Sequence, residues 1–301
     1  MTGRRRLPFG PFGGILHSLP PFPGEGRLFD LATRLVSLLG GAQREAHLWP
    51  GVPFRVDLRD RIQRQMWRAR YEPHLTSCLE ALLGPGDVFC DVGAHIGYIS
   101  CFAAGLVGKS GQVLSFEADP LLFAQLKKNL EPFSWAISFH CAVWDENRTI
   151  TFSRTPNKLE SGWGTVGEVR DIPAAEHVPV PAATLDSVFS SLSSSTVAAI
   201  KIDAEGSEPR ILAGAANLLQ SARPAIFLEV NSVLLSAAGC SSERLAKTLL
   251  HGGFRLFRLS FQKLAKVPTL AKLEFQDLLC LPEEKAEKLL SNFQAHGFSL
   301  C

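Results

Sequence analysis

Short apolar runs that alternate with amphipathic helical segments predict an α/β fold, an open, mostly parallel sheet of seven strands with helices on both faces. Two further observations carry the same reading. The stretch Val88-Phe89-Cys90-Asp91-Val92-Gly93-Ala94-His95-Ile96-Gly97-Tyr98-Ile99-Ser100 passes from a buried-strand composition through a Gly-x-x-x-Gly turn into an apolar-periodic segment, which reads as strand, tight turn and helix. Acids also stand at or just past predicted strand ends: Asp91, Glu117, Asp145, Asp203 and Glu229. In open α/β sheets ligands bind beyond the carboxyl ends of the strands, so this acidic edge is expected to be the active one.

In chain order, residues 1–26 are rich in Pro, Gly and Arg and read as an irregular arm. Leu28 to Leu39 has helical spacing and is stopped by Gly40-Gly41, Phe54 to Leu58 alternates like a strand, and Ile62 to Tyr71 is expected to be helical. Residues 1–70 therefore form an arm and helical extension, and residues 71–301 the α/β domain. That domain opens with a helix over Pro73–Leu83, ended by Gly84-Pro85-Gly86. The strand at 88–92, a helix over 97–107 and a strand ending at Glu117 make one βαβ unit, followed by a helix over Leu121–Leu130. Ser138–Val143 reads as a strand, as does Thr149–Ser153. The polar stretch Pro156–Pro173 is too long for an ordinary connection, and long loops in such folds carry substrate contacts. Val197–Asp203 is a buried strand, and Ser207 with Pro209 marks a helix whose inner face is Ile211, Leu212, Ala215, Leu218 and Leu219. Ala225–Val230, a helix over Ser242–His251, Phe254–Leu259 and Phe275–Leu281 close the sheet.

The 301 residues, 46% hydrophobic and 20% charged, belong to a globular chain rather than a disordered one. A net charge of +2 indicates no global nucleic-acid footprint. The arginines are local: Arg4-Arg5-Arg6, then Arg55, Arg59, Arg61, Arg64, Arg68 and Arg70. Three roles stay open for this arginine-rich part: capping the site, binding a phosphate-bearing substrate, or dimer contacts that would make a homodimer. Seven scattered cysteines without a C-x-x-C read as buried small hydrophobes in a reducing compartment. Prolines and glycines interrupt the apolar stretch Leu7–Phe22, so neither a signal-peptide core nor a transmembrane helix is expected, and the expected location is cytoplasmic.

The turn decides the ligand class. Glycine lets a ligand approach the backbone closely, and the helix behind it aims N–H groups outward. A dinucleotide fingerprint needs a third glycine; here only Gly93 and Gly97 are present, preceded by Asp91. A carboxylate there suits an ammonium and a sulfonium better than a pyrophosphate, and Glu117 stands where a carboxylate grips a ribose diol. Together they favour S-adenosyl-L-methionine over NAD. A nucleotide-dependent oxidoreductase and a non-catalytic binding scaffold remain the alternatives at this point.

The series Asp91-Val-Gly-Ala-His-Ile-Gly97, Phe116-Glu-Ala-Asp-Pro120, Ala142-Val-Trp-Asp145, Thr184-Leu-Asp-Ser187 and Ile200-Lys-Ile-Asp-Ala-Glu-Gly-Ser-Glu208 resembles the FkbM family of S-adenosylmethionine-dependent methyltransferases, which have the Rossmann-like class I fold. The resemblance covers roughly residues 72–260. His95 stands where many members have Asn, and alanine replaces a common proline in Phe116–Pro120. The resemblance implies O-methylation of a hydroxyl on a sugar, glycan or secondary metabolite, with a small-molecule or glycan acceptor and no nucleic acid. By position it implies that Asp91 and Gly93 hold the methionine end of the cofactor, Glu117 the ribose hydroxyls and Ala142-Val143 the adenine, with Ala94, His95, Gly97 and Asp203 also binding the cofactor. Asp203 would orient or deprotonate the acceptor hydroxyl beside the cofactor, with Glu205 second and His95 as a further base. Glu208, as an acid near the acceptor, and Trp163, as a stacking platform, are the substrate-contact candidates; loop anchoring and helix capping are their structural alternatives. No metal site is expected.

Overall fold

The computed structural model describes residue 33 and residues 41–49, 52–68, 71–154, 164–166, 175–191, 196–267 and 274–301. The predicted arm lies outside the described residues, as do the helix over 28–39 apart from Thr33 and the loop over Pro156–Pro173 apart from 164–166.

The described extension starts with an antiparallel hairpin that the sequence reading half anticipated. Strand β1 (Gln43–Trp49) pairs with β2 (Val52–Asp57), and a short helix α1 (Arg61–Trp67) follows. Asp60 caps α1 by accepting from the Gln63 N–H at 2.8 Å. The arginines here are structurally engaged. Arg64 is buried and donates to the carbonyls of Leu58 and Arg59, and Arg59 pairs with Asp57. Phe54, Val56, Leu58 and Met66 pack into the same core as the first strand and helices of the sheet domain. Asn129 adds a polar tie, bonding both the N–H and the carbonyl of Arg55 and the carbonyl of Ile96.

Helix α2 (Pro73–Leu82) buries Leu75, Cys78 and Leu79 and leads into β3 (Val88–Val92), helix α3 (Tyr98–Val107), β4 (Gln112–Glu117) and α4 (Pro120–Leu130). The expected strand Ser138–Val143 is two strands. β5 (Ala136–His140) stays in the main sheet, and after Cys141 the chain leaves it to form β6 (Ala142–Val143) in a second sheet. That sheet, ordered β6, β9, β7, β8, contains β7 (Arg148–Arg154), β8 (Thr165–Val166) and β9 (Glu176–Ala183). Prolines usually disqualify a strand, yet β9 carries Pro179 and Pro181. They share one side of the strand in the ladder with β7, and β6 covers only Ala182 and Ala183.

Helix α5 (Leu185–Ser190), capped by Thr184, precedes β10 (Ala199–Ile202). The single predicted helix after Ser207 is two, α6 (Glu208–Ala213) and α7 (Ala216–Ser221). They break at Gly214, where a Cβ would lie 2.0 Å from the Trp144 carbonyl oxygen. The remaining elements are β11 (Ala225–Asn231), α8 (Ser232–Ala237), α9 (Ser242–His251), β12 (Phe254–Ser260), β13 (Lys263–Lys266), β14 (Phe275–Pro282), α10 (Glu283–Ala295) and β15 (Ser299–Leu300).

The main sheet has nine strands among the described residues, ordered β15-β13-β12-β14-β11-β10-β3-β4-β5. The seven-strand expectation is corrected at one edge. A turn through Gln262, at φ 51°, folds the chain back into β13, on which β15 then pairs. β3, β4, β5, β10 and β11 run parallel, and β14 is antiparallel to β11. The strand order reverses between β3 and β10. That switch point is where an open α/β sheet makes its crevice.

Candidate active site

At the switch point the turn after β3 crosses the end of β10. Gly93 adopts φ +75°, and a Cβ on it would sit 1.9 Å from the Asp203 carbonyl oxygen. The N–H groups of Gly93 and Ala94 both bond the Phe116 carbonyl, fixing the turn to β4. Gly97, at φ +89°, lets α3 start against Leu126. His95 is left-handed too, at φ 53°, and its N–H donates to Glu117 Oε2 at 2.7 Å. The Asp119 N–H donates to Glu117 Oε1 at 2.8 Å. Two backbone donors therefore aim the Glu117 carboxyl, which burial pushes up to about 8 against the pull of those donors.

These residues surround a cavity of about 370 Å³, within the range of small-ligand sites. Gly93, His95, Glu117, Ala142, Val143, Asp203 and Glu205 from the sequence reading all line it. Phe116, Leu122, Val143 and Phe152 contribute apolar lining. Gly164 also lines it, close enough that a Cβ would sit 2.3 Å from the Phe152 ring. Trp163 lies outside the described residues.

Asp91 stands behind this wall, fully buried. Ser100 donates to its Oδ2 at 2.6 Å, Ser115 donates to Ser100, and Lys201 Nζ lies 3.4 Å from its Oδ1. The same ammonium is 3.3 Å from Asp203 Oδ2 and donates to the Gly93 carbonyl at 3.0 Å. One buried cation therefore ties β3, its turn and the end of β10. Burial pulls Asp203 upward, but Lys201 and a hydrogen bond from Glu229 outweigh it and hold the carboxyl below its ordinary value. Glu229 moves the other way, pushed up to about 11 by the Asp203 charge and by burial. The two acids thus share one proton at neutral pH. Burial pushes His95 down to about 4, so its imidazole is neutral there.

Glu208 does not line the cavity. It is 2% exposed, and its Oε1 accepts from the N–H groups of Gly206 and Ala204, bracing the loop that carries Glu205 at φ 50°. Asp145 is also elsewhere, paired with Arg210 at 2.6 Å. In the Thr184–Ser187 motif, Asp186 accepts from the N–H groups of Asn217 and Leu218 and so joins α5 to α7. The sequence reading missed Tyr71 and Glu72, which line the cavity from the segment ahead of α2. Glu72 is left-handed at φ 43°, and burial pushes its carboxyl up to about 7. Among the described residues, three of the five left-handed non-glycine residues, Glu72, His95 and Glu205, line this cavity, and such residues concentrate at functional sites.

The chain matches the family model described as Methyltransferase FkbM domain over residues 91–256, more than half of its length. The chain belongs to the FkbM methyltransferase family. It is therefore a methyltransferase, and S-adenosyl-L-methionine is its methyl donor. The oxidoreductase alternative falls with that assignment. Solved structures similar to this methyltransferase include an FkbM methyltransferase from Methylobacillus flagellatus KT, at 14% identity and a TM-score of 0.42, covering 72% of this chain and 53% of that one. The FkbM-family chain thus spans about half the length of that protein. Others are an O-methyltransferase from Thermotoga maritima (11% identity, TM-score 0.37, covering 70% of this chain and 64% of that one) and the fibrillarin of Aeropyrum pernix with natively bound S-adenosyl-L-methionine (11%, 0.39, 69% and 73%). No curated protein sequence matches the methyltransferase.

The lining fits such a donor. Asp203, which Lys201 holds below its ordinary value, faces the cavity beside the acids Glu72, Glu117, Glu205 and Glu229 and, among the described residues, no Lys or Arg does, which suits a sulfonium and an ammonium. The Ser207 hydroxyl, on a lining residue 1% exposed, has no protein hydrogen-bond partner among the described residues. Among the described residues no group of three or more His, Cys, Asp or Glu is arranged to hold a metal ion, and no helix is long and apolar enough to cross a membrane.

Proposed function

We propose that this methyltransferase methylates a hydroxyl of a sugar, glycan or secondary metabolite, with Asp203 as the residue that orients the hydroxyl and takes its proton. The observation that carries this is the Asp203 carboxylate just past β10 on the cavity wall, 3.3 Å from the Lys201 ammonium, which holds it below its ordinary value. Bound S-adenosyl-L-methionine supplies an electrophilic methyl group on a cationic sulfur. A hydroxyl attacking that carbon becomes more acidic as its oxygen gains positive charge, so even a carboxylate held below its ordinary basicity can remove the proton.

The remaining roles follow from position. Glu117, aimed by two N–H donors, holds the ribose hydroxyls; Ala142, Val143 and the apolar lining face the adenine; Gly93, Ala94 and His95 supply the turn for the methionine end. Asp91 acts from behind through Lys201. Glu205, Tyr71 and Glu72 bound the acceptor side, with His95 as a second, neutral base. Residues 71–301 serve as the catalytic domain, and residues 1–70 contribute to acceptor use through Ile62 at the cavity rim.

Calorimetric titration with S-adenosyl-L-methionine, then a screen of hydroxylated acceptors by S-adenosylhomocysteine release, tests the reading. Asp203→Asn is expected to retain cofactor binding and lose turnover. Turnover in that variant equal to wild type sinks the assignment of Asp203.

A further inference from the structure

A second, far smaller space of about 20 Å³ adjoins the main cavity. Glu72, Asp203 and Glu229 line both, so three carboxyl groups form the partition between them. On the far side stand Lys201, Asp277 and His74, and the remaining wall is apolar, with Leu75, Phe227 and Leu259. A buried water needs roughly 10–15 Å³ and two to four polar partners, and this space offers both. Glu229 and Asp277 are directly opposed across the antiparallel β11–β14 pair, which puts their Cβ atoms about 5 Å apart on one face of the sheet. Asp277 Oδ2 is 2.7 Å from His74 Nε2, and these side chains are 38% and 23% exposed, whereas Lys201 is 6% exposed. A line of ionisable groups therefore runs from the catalytic acid pair to the surface without passing through the main cavity.

We propose that His74 and Asp277, joined to Glu229 through a water in the small space, form the outlet by which the acceptor's proton leaves the site. The inference rests on the hydroxyl-methylation reading, in which a proton must be disposed of while donor and acceptor fill the main cavity and shut Asp203 off from bulk water. The acceptor O–H bond breaks as the O–CH₃ bond forms, the S–CH₃ electron pair stays on sulfur, and the proton passes to Asp203. Glu229 then gives its own proton to the water, which passes one to Asp277. Asp277, 38% exposed, then loses a proton to bulk water while the His74 Nε2–H holds its carboxylate in place, and the Asp203–Glu229 pair is left again with a single proton. The resting protonation suits this order. Glu229 holds a proton, Asp203 does not, and the hydrogen bond to Asp277 raises His74 above its ordinary value. Among the described residues, the charged and titratable groups that share the small space with His74 are Asp277 from β14, Glu229 from β11, Lys201 and Asp203 from β10 and its end, and Glu72 at the start of its own helix. Both His74 and Asp277 lie outside the family-matched stretch 91–256, so the outlet is a property of this chain's flanking segments.

Lys201 lines the small space and not the main cavity, which makes its ammonium hydrogens a reporter. Their exchange with solvent is measured by NMR on ¹⁵N-lysine-labelled full-length protein saturated with S-adenosylhomocysteine, with calorimetry of the same ligand run in parallel. The relay predicts that His74→Phe and Asp277→Asn each slow Lys201 exchange by at least about tenfold, with unchanged ligand affinity, because a positioned acid–base group accelerates proton transfer by roughly 10²–10⁴. It also predicts that the wild-type exchange rate follows the titration of His74 and that this pH dependence vanishes in both variants, which a purely structural role would not produce. Asp277→Asn is nearly isosteric and keeps the test alive if His74→Phe does not fold. Unchanged exchange in a folded variant overturns the outlet alone. Wild-type protein that fails to bind S-adenosylhomocysteine overturns the site reading and the outlet with it.

Discussion

Replacing Lys201 with methionine tests whether one cation holds the switch point together. The ammonium lies 3.4 Å from Asp91, 3.3 Å from Asp203 and 3.0 Å from the Gly93 carbonyl, at 6% exposure. Removing one member of a buried charge group leaves the others desolvated without compensation, which costs about 3–5 kcal/mol. Methionine keeps the apolar stem, and Asp203 retains its bond from Glu229, so the lower end, about 3 kcal/mol, is expected. At roughly 2–4 °C per kcal/mol for a domain of this size, Tm falls by about 6–12 °C. The pH dependence changes sign as well. In the wild type the lowered Asp203 contributes stability that is present above the ordinary carboxylate range and fades as pH falls through it. In Lys201→Met burial acts on Asp203 without the cation, so protonation relieves the variant, and its deficit narrows from about pH 7 toward pH 4. Urea denaturation at both pH values checks this. A variant within about 1 kcal/mol of wild type, or a deficit that widens in acid, would refute the argument.

Gly93→Ala combines a left-handed φ with a Cβ 1.9 Å from the Asp203 carbonyl; unfolding measurements are expected to show a loss of about 2–5 kcal/mol, with weakened cofactor binding by calorimetry. Glu117→Gln replaces one acceptor oxygen of the ribose contact with an amide NH₂ and should weaken S-adenosyl-L-methionine by about 10–100-fold. Because the folded Glu117 value is raised to about 8, its contribution to stability is present at low pH and lost as pH rises through that value, so the unliganded variant should gain on wild type toward alkaline pH in thermal melts. A histidine NMR titration should show His95 neutral at all pH values above about 5, while His74 titrates above an ordinary imidazole; a titration of His95 near the ordinary value contradicts its burial.

Much of the site was legible because its chemistry is local in sequence. Gly93, Gly97 and Glu117 belong to one βαβ unit, where strand, turn and acid sit at spacings fixed by backbone geometry, and Asp203 directly follows a strand whose four residues are all buried. Glu72 and Tyr71 were not legible, since nothing in Tyr-Glu-Pro announces that the residue before Pro73 turns left-handed into a cavity built by other elements. Asp91 and Glu208 were read as contact residues from their place in the motif. Distinguishing a carboxylate that faces a cavity from one that ties down the wall behind it requires the three-dimensional partner, here Lys201 for Asp91 and the Gly206 N–H for Glu208. The second sheet escaped notice because β9 carries two prolines and because β5 and β6 are separated by a single residue, Cys141.

The left-handed backbone at Glu72, His95 and Glu205 gives the experimenter an unusual handle. At most positions glycine loosens the chain, so lost function and lost structure become confounded. At these three, glycine is the residue the backbone itself favours, relieving about 1–2 kcal/mol of strain at each. Glu72→Gly, His95→Gly and Glu205→Gly therefore delete a side chain while leaving the trace of the cavity wall in place, and whatever chemistry disappears with each belonged to that side chain.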